Sequence, residues 1–224
     1  MCGRYSWKQT KSGRFGKLTN KAPTPDKPSL NRAPGQIHPT LSMSGQTVGW
    51  SPMWWGRPPG GRTGDRFPQP INARAETVGE KTSFRESFEN RRCLVPADGF
   101  YEWQVTDVEK YPYFIHLPDR PVFAMAGIWT EALDFEKTVG SFTILTQEAH
   151  PGLLKLHDRM PVILQESEWK TWIDPSSTTE QLQEILDLPG PEMTAYQVSK
   201  RVNSTKNDDP ELQEPFSERQ STLF

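Results

Sequence analysis

Residues 92–104 read RCLVPADGFYEWQ. An apolar run, an Ala97-Asp98-Gly99 turn signal and an aromatic run follow one another. That order predicts two strands joined at the turn. Strand-like text of the same kind lies on both sides. LSMSGQTVGW (41–50) predicts two strands about a Ser-Gly turn. YPYFIHL (111–117), VFAMAGIW (122–129), SFTILT (141–146) and MTAYQVS (193–199) are rich in aromatic and β-branched residues. LHDRMPVIL (156–164) begins as a turn, because Pro161 stops a helix, and ends as a strand. Helical spacing is confined to three short stretches. SFRESFENRR (83–92) sets Phe84 and Phe88 at i, i+4, and SEWKTWI (167–173) aligns Trp169, Trp172 and Ile173. TTEQLQEIL (178–186) opens with a capping box from Thr178 to Gln181 and places Leu182, Ile185 and Leu186 on one face. Hairpins outnumber strand–helix–strand units, so the expected class is α+β with mainly antiparallel strands.

The rest of the chain sets bounds. At 224 residues, with no internal repeat and no clear linker, one domain is expected over 1–224, its polar end from Asn207 loosely held. The 21 prolines argue against long helices. Residues 8–30 read as a short helix or turn leading into a loop, and RPPGGRTGDRFPQ (57–69) as an exposed loop. No window approaches the roughly 18 apolar residues of a membrane span, and no secretory h-region is present. Cys2 and Cys93 form no disulfide framework, which points to a reducing, cytoplasmic setting. A net charge of −2 requires any nucleic-acid binding to come from a local patch. His38, His116, His150 and His157 are scattered without CxxC or HxxxH spacing, so neither metal nor cofactor is expected.

Several polar islands in apolar text can carry chemistry. The chain opens MCGRYSW; with Met1 removed, Cys2 carries an α-amine beside a thiol, a distinctive nucleophile. Arg4 follows two residues later. In INARAE (71–76), Asn72 and Arg74 share one face of a strand, opposite Ile71, Ala73 and Ala75. Glu102 lies between aromatics in FYEW, where desolvation raises a carboxyl pKa toward acid/base use. His157, beside Asp158, can move protons. Trp54 and Trp55, next to the arginine-containing loop, suit stacking on single-stranded bases. Taken singly, each also fits a plainer role: a solvent-facing strand end, a turn, an edge strand, a core tryptophan.

Together and in order, MCGRY, NRAPG, INARAET, RCLVPADGFYEW, HDRMPVIL and VSKRVNSTKNDDPE resemble the SOS-response-associated peptidase (SRAP) family of abasic-site-processing proteins, over roughly residues 2–215. Val48-Gly49 stands where family members commonly read Trp-Gly, and the 57–68 loop is idiosyncratic. The resemblance implies an α+β fold with strands curled into an open barrel-like core and flanking helices. It implies a covalent thiazolidine crosslink between Cys2 and abasic sites in single-stranded DNA, shielding the lesion. Asn72 would orient Cys2, Glu102 and His157 would move protons, Arg4 and Arg74 would bind phosphates, and Trp54 and Trp55 would stack on bases. A monomer without cofactors is implied, nucleoid-associated when on DNA, with the replication machinery as recruiting partner. Two other readings stand beside it: a cysteine peptidase using Cys2 with His157 and Glu102, and a non-catalytic single-strand-binding module.

Overall fold

Two twelve-residue strands organise the larger sheet. The structure, a computed structural model, describes residues 2–8, 13–19, 21, 23, 27–58, 70–134 and 137–217. In chain order the strands are β1 (Tyr5–Trp7), β2 (Ser29–Arg32), β3 (Ile37–Ser44), β4 (Thr47–Trp55), β5 (Asn72–Arg74), β6 (Arg92–Ala97), β7 (Gly99–Val105), β8 (Lys110–His116), β9 (Phe123–Asp134), β10 (Lys137–Glu148), β11 (Arg159–Pro161), β12 (Ile163–Leu164) and β13 (Thr194–Gln197). The helices are α1 (Thr82–Asn90), α2 (Trp169–Ile173) and α3 (Thr179–Leu186). None is long and apolar enough to cross a membrane among the described residues.

Strand β10 runs antiparallel to β9 over Lys137–Ile144. On its other edge it runs parallel to β4 and then to β5. Since the order continues β4-β3-β6-β9, and β9 pairs with β10 again, five strands form a closed ring. The α+β class and barrel-like core are those expected, but the ring closes where an open curl was anticipated. Closure removes two sheet edges that would otherwise need covering. Leu41, Leu94, Ala126, Phe142 and Ile144 are fully buried in the core. A second sheet, in the order β13-β8-β7-β1-β2, leans on this barrel.

The stretch 92–104 does give two strands about Asp98, but they are not a hairpin. β6 pairs with β3 and β9 in the barrel, while β7 pairs with β8 and β1 in the other sheet. Asp98 is therefore the corner at which the chain changes sheets. Its carboxylate accepts from the Ser6 hydroxyl and from the Lys8 backbone N–H (2.7 Å), and its own N–H donates to Ser6 O (3.0 Å). Burial raises its pKa, against the hydrogen bonds that lower it. Gly99 is required by close approach: a Cβ there would lie 2.1 Å from Phe114 Cζ.

Arg92 fastens the helices to the barrel. Its buried guanidinium donates to Phe88 O at the end of α1 (2.7 Å), to Trp172 O in α2 (2.7 Å) and to Asp174 O beyond it. The predicted capping box is present, with Gln181 N–H donating to Thr178 Oγ1 (3.3 Å) and Thr178 N–H to Gln181 Oε1 (2.9 Å). The pair predicted at 41–50 is the β3–β4 hairpin, turning at Gly45 with φ 57°. The loop predicted over 57–69 lies almost wholly outside the described residues. The end expected to be loose is held as far as Phe216: Leu212 is fully buried, and Phe216 N–H donates to Gln197 O (2.8 Å).

Candidate active site

Strand β1 carries Cys2 to its position. β1 runs antiparallel to β7 at Tyr5 and Phe100, and Tyr101 N–H donates to Arg4 O (2.9 Å). Continued, that register sets Gly3 opposite Glu102, one residue from Cys2; the Glu102 charge acts on the Cys2 thiol, and both residues are buried. The Cys2 thiol lies 3.9 Å from Arg4 O. Burial raises the thiol pKa, and the Glu102 carboxylate raises it further, so the thiol is protonated at neutral pH.

Strand β5 supplies the second element. It lies parallel to β10, with Asn72 opposite Ile144 and Arg74 opposite Thr146. Ala73 faces the core, while Asn72 and Arg74 take the other side, as the alternation predicts. Asn72 Nδ2 donates to the Cys2 carbonyl (2.8 Å), and Arg74 is exposed.

His157 stands on the turn before β11. Its Nδ1 accepts from Arg159 N–H (3.0 Å) and lies 2.7 Å from Asp158 Oδ1. These contacts make opposite demands. The first needs a bare lone pair on Nδ1 and so puts the neutral ring's proton on Nε2; the second becomes a hydrogen bond only when Nδ1 is protonated. Glu102 and His157 line one cleft of about 450 Å³ with Trp103, Val105, Lys110 and Asn203.

Arg159, which the sequence reading did not single out, joins these pieces. It grips both oxygens of Glu76 (2.6 and 2.8 Å) and also donates to Thr146 O. The His157 turn is thereby tied to the segment that follows Asn72 and Arg74, and the Glu76 carboxyl is held below its usual range. Both residues sit inside motifs that were noticed, INARAET and HDRMP; nothing local showed that they face each other. Trp103 adjoins Glu102 in sequence, and Asn203 lies within the VSKRVNSTKNDDPE motif, though neither residue type by itself points to the cleft.

The remaining predicted residues divide. Arg4 is half-buried, its guanidinium donating to Asn31 Oδ1 (2.7 Å) and Val202 O (2.8 Å). Trp54 is half-buried. Trp55, expected to stack on a base, is core: it is fully buried, its indole N–H donates to Ile71 O (2.9 Å), and its ring lies parallel to Phe142. Strand alternation puts Trp54 and Trp55 on opposite faces, and the packing of β4 on β10 gives the core face to Trp55. Among the described residues no cluster of three or more His, Cys, Asp or Glu is placed to hold a metal.

Residues 1–205 match the family model described as SOS response associated peptidase (SRAP). The chain belongs to this family. It is similar to the abasic site processing protein YoqW of Bacillus subtilis, with 40% identity over 190 residues, 83% of this chain and 85% of that one. It is 30% identical to the abasic site processing protein YedK of Escherichia coli over 225 residues, 96% of this chain and 100% of the relative. A crystal structure of a protein from Bacteroides thetaiotaomicron shares the fold, with a TM-score of 0.79 at 24% identity over 96% of this chain and 100% of that one.

Proposed function

We propose that this SRAP-family chain bonds covalently to abasic sites in single-stranded DNA through the α-amine and thiol of Cys2, shielding the lesion in the DNA damage response. The observation that carries the reading is the 2.8 Å hydrogen bond from Asn72 to the Cys2 carbonyl, beside a cleft lined by Glu102 and His157. A 1,2-aminothiol held at one end, next to an acid/base and an imidazole, suits an aldehyde substrate.

The amine adds to C1′ of the ring-opened sugar, and the carbinolamine loses water to give an imine. The thiol then adds to the same carbon. A C–S bond forms, the thiol proton passes by way of Glu102 to the ring nitrogen, and the balance is adduct plus one water. His157 moves the proton at the sugar oxygen as the ring opens. An amide nitrogen cannot form the imine, so any residue preceding Cys2, Met1 included, must first be removed. Arg74 and Arg4 supply positive charge for flanking phosphates, and Trp54 with Trp103 offers stacking surface.

A peptidase reading, with Cys2 attacking as a thiolate, needs an ionised thiol. Burial and the charge of Glu102 both oppose ionisation, which favours the amine-first route. Intact-mass measurement after mixing with an abasic single-stranded oligonucleotide tests the proposal. The expected product is protein lacking Met1 plus oligonucleotide minus one water. Cys2→Ala keeps the α-amine but not the thiol, so it is expected to give no thiazolidine adduct, only the hydrolysable imine, while still binding unmodified strands. Wild-type protein that binds strands yet never forms the adduct would leave only the non-catalytic binding module.

A further inference from the structure

One side chain ties the carboxyl-terminal stretch of the fold into the candidate site. Asn31 on β2 is 2% exposed. Its Nδ2 donates to the carbonyls of Val202 (3.3 Å), Ser204 (3.0 Å) and Asn207 (2.8 Å). Its Oδ1 accepts from Arg4 Nη1 (2.7 Å), which also donates to Val202 O (2.8 Å). The amide has one workable orientation. Flipped, it would set an oxygen against three carbonyl oxygens and an NH₂ against a guanidinium. The strap it holds, residues 199–208, presents Asn203 Oδ1 to the Trp103 indole N–H (2.8 Å) at the cleft. The far end of the strap is pinned to the same strand, since Asp208 Oδ1 accepts from Leu30 N–H (2.6 Å).

We propose that Asn31 is a positioning residue of the site, with two separable jobs; the proposal rests on the Cys2 reading above. Its oxygen holds the Arg4 side chain and so helps to fix residues 2–4, which precede β1 and whose backbone is otherwise held by Asn72 at the Cys2 carbonyl (2.8 Å) and by Tyr101 N–H at the Arg4 carbonyl (2.9 Å). Its NH₂ holds the strap, which fixes Trp103 through Asn203. Residues 2–4 bear the nucleophile, and Trp103 is part of the surface that receives the strand. Loss of the first job slows chemistry. Loss of the second weakens binding.

Substitution separates the two. Asn31→Ala removes both anchors. Asn31→Asp still accepts from Arg4 but turns a carboxylate toward three carbonyl oxygens, so only the strap is released. Two readouts are needed. The first is the iodoacetamide labelling rate of Cys2 relative to Cys93, resolved by peptide mass; both thiols are fully buried, and Cys93 sits in the barrel core. The second is the rate of adduct formation against the concentration of abasic oligonucleotide.

For Asn31→Ala, Cys2 labelling is expected to rise about tenfold with Cys93 unchanged, the ratio that loss of roughly one or two hydrogen bonds of local protection gives. The maximal adduct rate is expected to fall up to about 100-fold, as a misplaced nucleophile requires. For Asn31→Asp, Cys2 labelling stays close to wild type and the half-saturating oligonucleotide concentration rises instead. Unchanged Cys2 labelling in Asn31→Ala overturns the proposal. So does a parallel rise at Cys93, which signals general loosening of the fold. If Asn31→Ala does not fold, Asn31→Ser, with one small donor and acceptor, takes its place on the same criteria. Wild-type protein that forms no adduct sinks the functional reading, and the labelling ratio still decides whether Asn31 positions Cys2.

Discussion

The central residue-scale feature is a thiol kept neutral beside a carboxylate. Glu102 opposes ionisation of Cys2 and is also suited to receive its proton. Glu102→Gln is accordingly expected to slow adduct formation by about 10²–10⁴-fold, with unmodified-strand binding retained, as single-turnover gels would measure. His38 gives a second expectation. Burial, and then the charge of Arg32, push its pKa from 6.5 down to about 3. Its Nε2–H donates to Ala33 O (2.9 Å), and its Nδ1 accepts from Arg32 Nη1 (3.1 Å). Between about 3 and 6.5 the unfolded chain takes up a proton that the folded chain refuses, so stability falls as pH drops through that window. The His38 ring resonance should not titrate between pH 8 and 5, while the melting temperature should fall below about pH 6. A His38 resonance titrating near its ordinary value would contradict this. Residue patterning made Asn72 and Arg74 legible, since alternation alone put them on one face. It did not separate Trp54 from Trp55, because strand alternation says that the two faces differ and not which one is solvent.

At the scale of elements, the decisive feature is the corner at Asp98. Local turn chemistry is the same for a hairpin and for a change of sheet, so the text at 92–104 shows two strands about a turn without showing whether they pair. Which edges are free to pair decides between them: β7 takes the next strand, β8, as one neighbour, while β3, β9 and β1 lie far away in sequence. The corner also explains Gly99. Gly99→Ala forces a Cβ into the Phe114 ring and to within 2.9 Å of Ile115 O, a backbone atom that cannot swing aside. The expected cost is about 1–3 kcal/mol, read as a lower urea midpoint with an unchanged slope. Arg92 makes a comparable test for the helices. Arg92→Ala orphans three carbonyls that now accept from one cation. A loss of about 2–4 kcal/mol is expected in denaturant unfolding, and a loss under about 0.5 kcal/mol would mean that α1 and α2 are held by apolar packing alone.

For the molecule as a whole, a net charge of −2 restricts how DNA can be held. Binding through Arg4, Arg74 and a few neighbours should release few counterions. A plot of log K against log salt for unmodified single strands is expected to have a slope of roughly −2 to −3. A slope steeper than about −5 would require a second basic surface. The sequence by itself determined the strand-rich α+β class, the α3 capping box and the family, and it offered Cys2, Asn72, Glu102 and His157 as candidates. Each is set by local spacing, by residue chemistry or by the order of motifs along the chain. Only the tertiary structure decided the closed ring, the corner at Asp98, the burial of Trp55, the Arg159–Glu76 clasp and the grip of Asn31 on the strap. Each of these joins residues far apart in sequence: 83 positions for the clasp and 176 for Asn31 with Asn207. A hydrogen-bonding side chain declares in sequence what it can donate or accept. Its partner is fixed by packing, when the cost of leaving a buried polar group unsatisfied selects among the groups that the fold brings near.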